Sequence, residues 1–176
     1  MLRVAGLDLS LTAAGVAVLN PDGTTEYGTF GYSLKKKSSE KERIQRLVYV
    51  TNKVMGMLMD RKVEQVGIEN YGFASKTLAF SAELGGNIRV QLWVGMGIMP
   101  LIIPCTSVRK FILGKSTSDK KKVASHLLRS GYPKTSNLDE SDALAVAVVA
   151  DSYFNRRNSV SCLDKINLFE RLDRQR

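Results

Sequence analysis

The chain has 176 residues, 44% hydrophobic and 24% charged, the make-up of a globular protein with one sizeable core. Its 26 basic residues against 17 acidic ones give a net charge of +9, which favours a polyanionic partner such as nucleic acid. No apolar run is long enough to cross a membrane, and the N-terminus shows no secretory pattern, so the expectation is a cytoplasmic protein without a membrane partner.

Residues 2–9 read as a buried strand that carries Asp8 inside an apolar run. Ala14 to Leu19 predicts a second strand, and Asn20-Pro21-Asp22-Gly23 is a turn signal. Thr24 to Ser33 supplies a third, completing an antiparallel opening. A polar linker, Lys35 to Ser39, leads into a helix over 40–60, where Ile44, Leu47, Val48, Val54, Met55, Leu58 and Met59 keep a helical spacing. A fourth strand over 63–69 ends on Glu69.

A helix is predicted over 77–94, with Ala79, Ala82, Gly86, Val90 and Trp93 on one face. Gly85-Gly86 inside it implies either a break or close approach of another helix, such as one from a second subunit. Ile98 to Ile103 reads as a fifth strand, followed by helices near 107–113 and 118–130 and a core helix over 139–154. In the tail, Leu163, Ile166, Phe169 and Leu172 recur every three residues, so a short amphipathic helix is expected there. The order of elements argues for an α/β architecture with a mixed sheet. Cys105 and Cys162 match no zinc spacing and read as reduced thiols.

Four acidic residues stand at the edges of apolar elements: Asp8, Glu69, Asp139 and Asp142. Carboxylates in such places lose solvation, and several together repel unless a cation neutralises them. Oxygen-rich, sulfur-free clusters suit Mg²⁺ or Mn²⁺, and paired metals can stabilise both attacking and leaving oxygens of a phosphodiester. Asp139 and Asp142 share one face of a helix start, where Asp139 could instead be a cap. Asp8 could instead bind backbone donors in the turn Ser10-Leu11-Thr12. His126 reads as a partly exposed helix residue rather than a base.

Gly114-Lys115-Ser116 resembles the end of a P-loop, but the earlier glycine would have to stand at Arg109, so the match fails. The run from Lys115 to Lys122 reads instead as a basic loop and helix start able to meet phosphates. Arg109, Lys110, Lys115, Lys120, Lys121 and Lys122 are candidate DNA contacts, and Tyr71 and Phe73 could stack on unpaired bases.

These residues resemble the RuvC-type Holliday-junction resolvases of the ribonuclease-H-like superfamily. The matching motifs are Gly6-Leu7-Asp8-Leu9-Ser10-Leu11-Thr12 with Gly15 following, Ile68-Glu69-Asn70-Tyr71, and Asp139-Glu140-Ser141-Asp142-Ala143-Leu144-Ala145. Pro104 to Lys122 is similar to the family's basic stretch. The resemblance implies a ribonuclease-H-like, mixed five-stranded sheet flanked by helices. It implies a homodimer that nicks four-way DNA junctions in pairs with Mg²⁺ or Mn²⁺, with Asp8, Glu69, Asp139 and Asp142 as the acidic tetrad. The expected organisation is a nuclease domain over 1–154 and a helical tail over 155–176. The family often has Phe three residues after the glutamate, where this chain has Gly72 between Tyr71 and Phe73. The divergent form resembles a phage or viral relative, which would act in the host cytoplasm and on a wider range of branched DNA. Competing readings are a non-cleaving DNA-binding module on the same fold and an actin-like ATP-binding domain. The second requires a further domain and Gly-rich adenosine motifs.

Overall fold

The computed structural model describes residues 1–35, 37–70, 78–115, 119–155 and 163–174. Five strands, β1 (Val4–Asp8), β2 (Ala14–Leu19), β3 (Thr25–Phe30), β4 (Gln65–Asn70) and β5 (Leu101–Pro104), form one sheet in the order β3-β2-β1-β4-β5. β3, β2 and β1 are antiparallel, while β1, β4 and β5 run parallel. The helices are α1 (Glu40–Asp60), α2 (Leu78–Met96), α3 (Cys105–Leu113), α4 (Lys120–Arg129), α5 (Leu138–Phe154) and α6 (Leu163–Asp173). This is the mixed five-stranded α/β architecture expected from the sequence. Strand and helix ends shift: β5 starts at Leu101 rather than Ile98, and α3 starts at Cys105, directly after the strand.

Successive strand residues point to opposite faces, and the sheet uses both. Ala5 and Leu7 of β1, Val16 and Val18 of β2, and Val66 and Ile68 of β4 pack on α1 and α2 through Val50, Val54, Leu58, Leu84, Ile88 and Leu92. The other face meets α3, α4, α5 and α6, with Val4, Leu19, Leu101 and Ile103 against Ala143 to Ala150 and Leu172. Alternation therefore sends Gly6, Asp8, Gly67 and Glu69 toward α5.

α5 lies unusually close to the sheet because glycines stand beneath it. A methyl group at Gly6 would lie 2.2 Å from the Ala143 carbonyl oxygen and 2.2 Å from the Ala147 nitrogen. One at Gly15 would lie 2.2 Å from the Asp139 carbonyl oxygen. Gly15 is the register partner of Asp8. The small residues of α5 answer the glycines, so backbone meets backbone.

α1 opens with a capping box: Glu42 N–H donates to Ser39 Oγ at 3.3 Å, and Ser39 N–H donates to Glu42 at 2.7 Å. α2 runs unbroken through Gly85-Gly86, which excludes the helix break. Its buried face is Leu84, Ile88 and Leu92; the face predicted from Ala79, Ala82, Gly86, Val90 and Trp93 is mostly turned to solvent. The helix carries large apolar residues on both its buried and its outer side, so their spacing alone did not distinguish the two. α6 packs through Leu168 and Leu172, with Phe169 beside Phe111 and Tyr153. Among the described residues no helix is long and apolar enough to cross a membrane.

Candidate active site

β1 and β4 are parallel neighbours, with Leu7 paired to Ile68, so Asp8 and Glu69 follow side by side at their carboxyl ends. α5 delivers two more carboxylates from its amino end. Its cap is Asn137, whose Oδ1 accepts the Glu140 N–H at 2.9 Å, so the alternative capping role for Asp139 is excluded. Glu140 turns away, accepting from Ser136 N–H at 2.8 Å and from the Thr29 hydroxyl at 3.2 Å. In the turn after β1, Ser10 Oγ accepts the Thr12 N–H at 3.3 Å.

The four acidic groups share one electrostatic environment. Burial pushes the Asp8 carboxyl up to about 7, and Glu69, Asp142 and Asp139 push the same way, against the opposing charge of Lys120. Glu69 is also raised, by burial first and by Asp142, while a hydrogen bond from Cys105 and the charges of Arg109 and Lys120 oppose the rise. The Cys105 thiol is pushed up to about 12 by burial and by Glu69, so it stays protonated and donates to the carboxylate.

Lys120, the first residue of α4, reaches into this group. Its Nζ lies 3.8 Å from Asp8 Oδ2 and is ion-paired with Asp142 Oδ2. The Asp142 side chain is 7% exposed, and its Oδ2, although beside this ammonium, receives no hydrogen bond of regular geometry. Burial opposes the charge of Lys120, but Asp142, Asp8 and Asp139 outweigh it and raise its pKa.

The donor chemistry fits a hard divalent cation: carboxylate oxygens, partly desolvated, mutually repelling, one of them buried beside a lysine. As oriented, no three His, Cys, Asp or Glu side chains among the described residues form a ready-made metal-holding group. Closure around an ion therefore needs side-chain rotation.

The basic residues divide. Arg109 on α3 and Lys120 on α4 act on the acidic group. Lys110, Lys115, Lys121 and Lys122 are exposed, and Lys122 pairs with Asp119 at 3.5 Å. Tyr71 and Phe73 lie outside the described residues, as does Cys162. His126 is half-buried on α4, as read from the sequence. Sequence reasoning missed Cys105 as a partner of Glu69. The signal was its place directly after the strand that pairs with β4, where Asn70 faces Pro104.

The sheet order, its strand directions and the helix on its central strands define a ribonuclease-H-like α/β fold. The solved structure of Thermus thermophilus RuvC shares it, with a TM-score of 0.65 and 20% identity over 89% of this chain and 97% of that one. T. thermophilus RuvC in complex with a Holliday junction substrate is similar at a TM-score of 0.67 and 19% identity, over 90% of this chain and 98% of that one. The fowlpox virus resolvase with Holliday junction DNA matches at a TM-score of 0.47 and 15% identity, over 83% of this chain and 94% of that one. No protein-family model matches the sequence, and no curated protein does.

Proposed function

We propose that this chain is a metal-dependent, structure-selective DNA endonuclease that resolves four-way junctions by paired nicks. The observation that supports the reading is geometric: Asp8 and Glu69 end neighbouring parallel strands, and Lys120 Nζ lies 3.8 Å from Asp8 Oδ2 and is ion-paired with Asp142 at the start of α5, beside Asp139. The net charge of +9 supports a polyanionic substrate. So does the fold shared with T. thermophilus RuvC, which is seen bound to a Holliday junction.

Asp8, Glu69, Asp139 and Asp142 would hold Mg²⁺, with Mn²⁺ as a substitute. When bound, such ions supply a water of lowered pKa and neutralise charge on the attacking and leaving oxygens. Cys105 orients Glu69 by donating its thiol hydrogen to the carboxylate. Arg109 and Lys120 bring positive charge to the scissile phosphate, and Lys110, Lys115, Lys121 and Lys122 track the flanking backbone. Tyr71 and Phe73, just beyond β4, would stack on unpaired bases at the junction. The nuclease unit would span 1–154, with 155–176 as an appended helical tail. Its place of action would be the cytoplasm, or the host's cytoplasm for a viral protein.

Two symmetric nicks need two sites, so the acting species would be a homodimer. The outer face of α2 supports this: Val90 is 59% exposed, Trp93 57% and Val94 78%, with Phe80 also exposed. Gly86 beside them has open space where a side chain would be, so its small size serves no contact among the described residues. A second copy of α2 packed there would use it. Sedimentation equilibrium should show a dimer that Trp93→Glu dissociates.

The decisive assay incubates the protein with four-way junction, flap and linear duplex DNA in Mg²⁺, Mn²⁺ or EDTA. Metal-dependent cutting of branched DNA is the expected result. Binding without cutting would establish a silent binding module instead, and ATP hydrolysis without cutting would establish the actin-like reading.

A further inference from the structure

Lys120 is held more firmly than a surface lysine. It opens α4, whose cap Asp119 accepts the Lys121 N–H at 3.0 Å, and whose Val123 and Leu127 are buried in the core. The backbone that launches the side chain is therefore fixed. From it, Nζ spans Asp8 Oδ2 and Asp142 Oδ2, joining the end of β1 to the start of α5. The lysine side chain is still 41% exposed, so a path to solvent stays open. Lys121 and Lys122 beside it are exposed, and Lys122 pairs within its own helix.

A divalent cation joining Asp8 to Asp142 would claim the same two oxygens. An ammonium and a divalent ion at those two oxygens each weaken the hold of the other, because like charges at that spacing repel in a partly dry site. We infer that Lys120 is a tethered counter-cation that competes with the metal for Asp8 and Asp142 and must swing out for the metal to enter. This rests on the metal-dependent reading above. The displaced ammonium keeps its fixed helical base, so it swings to the solvent rim, where a DNA phosphate can take it. Metal and phosphate then each favour the other, and the coupling is reciprocal.

The test is titration of the purified protein with MnCl₂ alone, followed by calorimetry and by the electron paramagnetic resonance of free Mn²⁺. Lys120→Met and Lys120→Gln should each bind Mn²⁺ roughly tenfold or more tightly than wild type, since a nearby competing charge has gone. Lys120→Arg keeps a cation and should stay near wild type. Lys121→Met removes the same charge from an exposed neighbour and should change affinity by less than about twofold. Equal or weaker Mn²⁺ binding by both neutral variants, with wild-type binding intact, overturns this inference and leaves the nuclease reading standing. So does an equal gain from Lys121→Met, which would make the effect one of net charge. Absence of Mn²⁺ binding in wild type and all variants overturns both.

Discussion

Replacing Asp8 by Asn should make the metal-free protein more stable, by an amount that grows with pH. The Asp8 carboxyl is pushed from 3.8 to about 7 in the folded state, first by burial and then by Glu69. The folded chain therefore holds this proton more tightly than the unfolded chain, and stability falls as pH rises from the unfolded value through the folded one. Well below 3.8 both states are protonated and the wild type pays no penalty. Linkage over that window gives a penalty that grows with pH and reaches a few kcal/mol, on the order of 4, above pH 7. Asn carries no charge at any of these pH values, so Asp8→Asn escapes the penalty. The 3.8 Å contact with Lys120 already lowers the folded-state value, so its loss is contained in that figure. Urea denaturation in EDTA at several pH values, comparing midpoints at constant m-value, measures this directly. A variant no more stable than wild type at alkaline pH, or a gain that does not change with pH, would refute the reasoning. Added Mn²⁺ should reverse the order, because it stabilises only the chain that binds it.

Asp8→Asn, Glu69→Gln and Asp142→Asn should each lower junction cleavage by about 10²-fold or more while leaving junction binding intact, measured by single-turnover cleavage and by gel shift. Full activity in Asp142→Asn would remove α5 from the site. Gly6→Ala should cost about 2–4 kcal/mol, since the new methyl would meet the α5 backbone at 2.2 Å; a urea midpoint within error of wild type would contradict the close approach. Reversing Lys121 and Lys122 to Glu should weaken junction binding and flatten its dependence on salt, and an unchanged slope in a salt titration would take α4 out of the interface.

Much of the sheet was legible because strands alternate. The parity that hides Leu7 and Ile68 on one face exposes Asp8 and Glu69 to the other, and both facts follow from counting by two. The meeting of the two carboxylates also needs β1 and β4 to be parallel neighbours, which the crossover through α1 makes natural. The face of α2 was misread because the exposed Val90, Trp93 and Val94 are as apolar as the buried Leu84, Ile88 and Leu92, so apolar spacing did not single out the core side. Lys120 read as one more basic residue in a run of three. What sets it apart is the position of α4 against α5, a long-range packing fact that no local spacing encodes. Cys105 was hidden for the same reason: its partner lies across a strand pairing.

The contact of α5 with Gly6 and Gly15 has a consequence for how the molecule ages and heats. Side-chain packing can loosen by degrees, but a peptide group resting on another peptide group has no rotamer to relax into. The spacing between the strand and helix backbones that carry the carboxylates is thus fixed by the scaffold itself. On warming it should hold nearly constant and then vanish in one step with the fold, with no gradual widening beforehand.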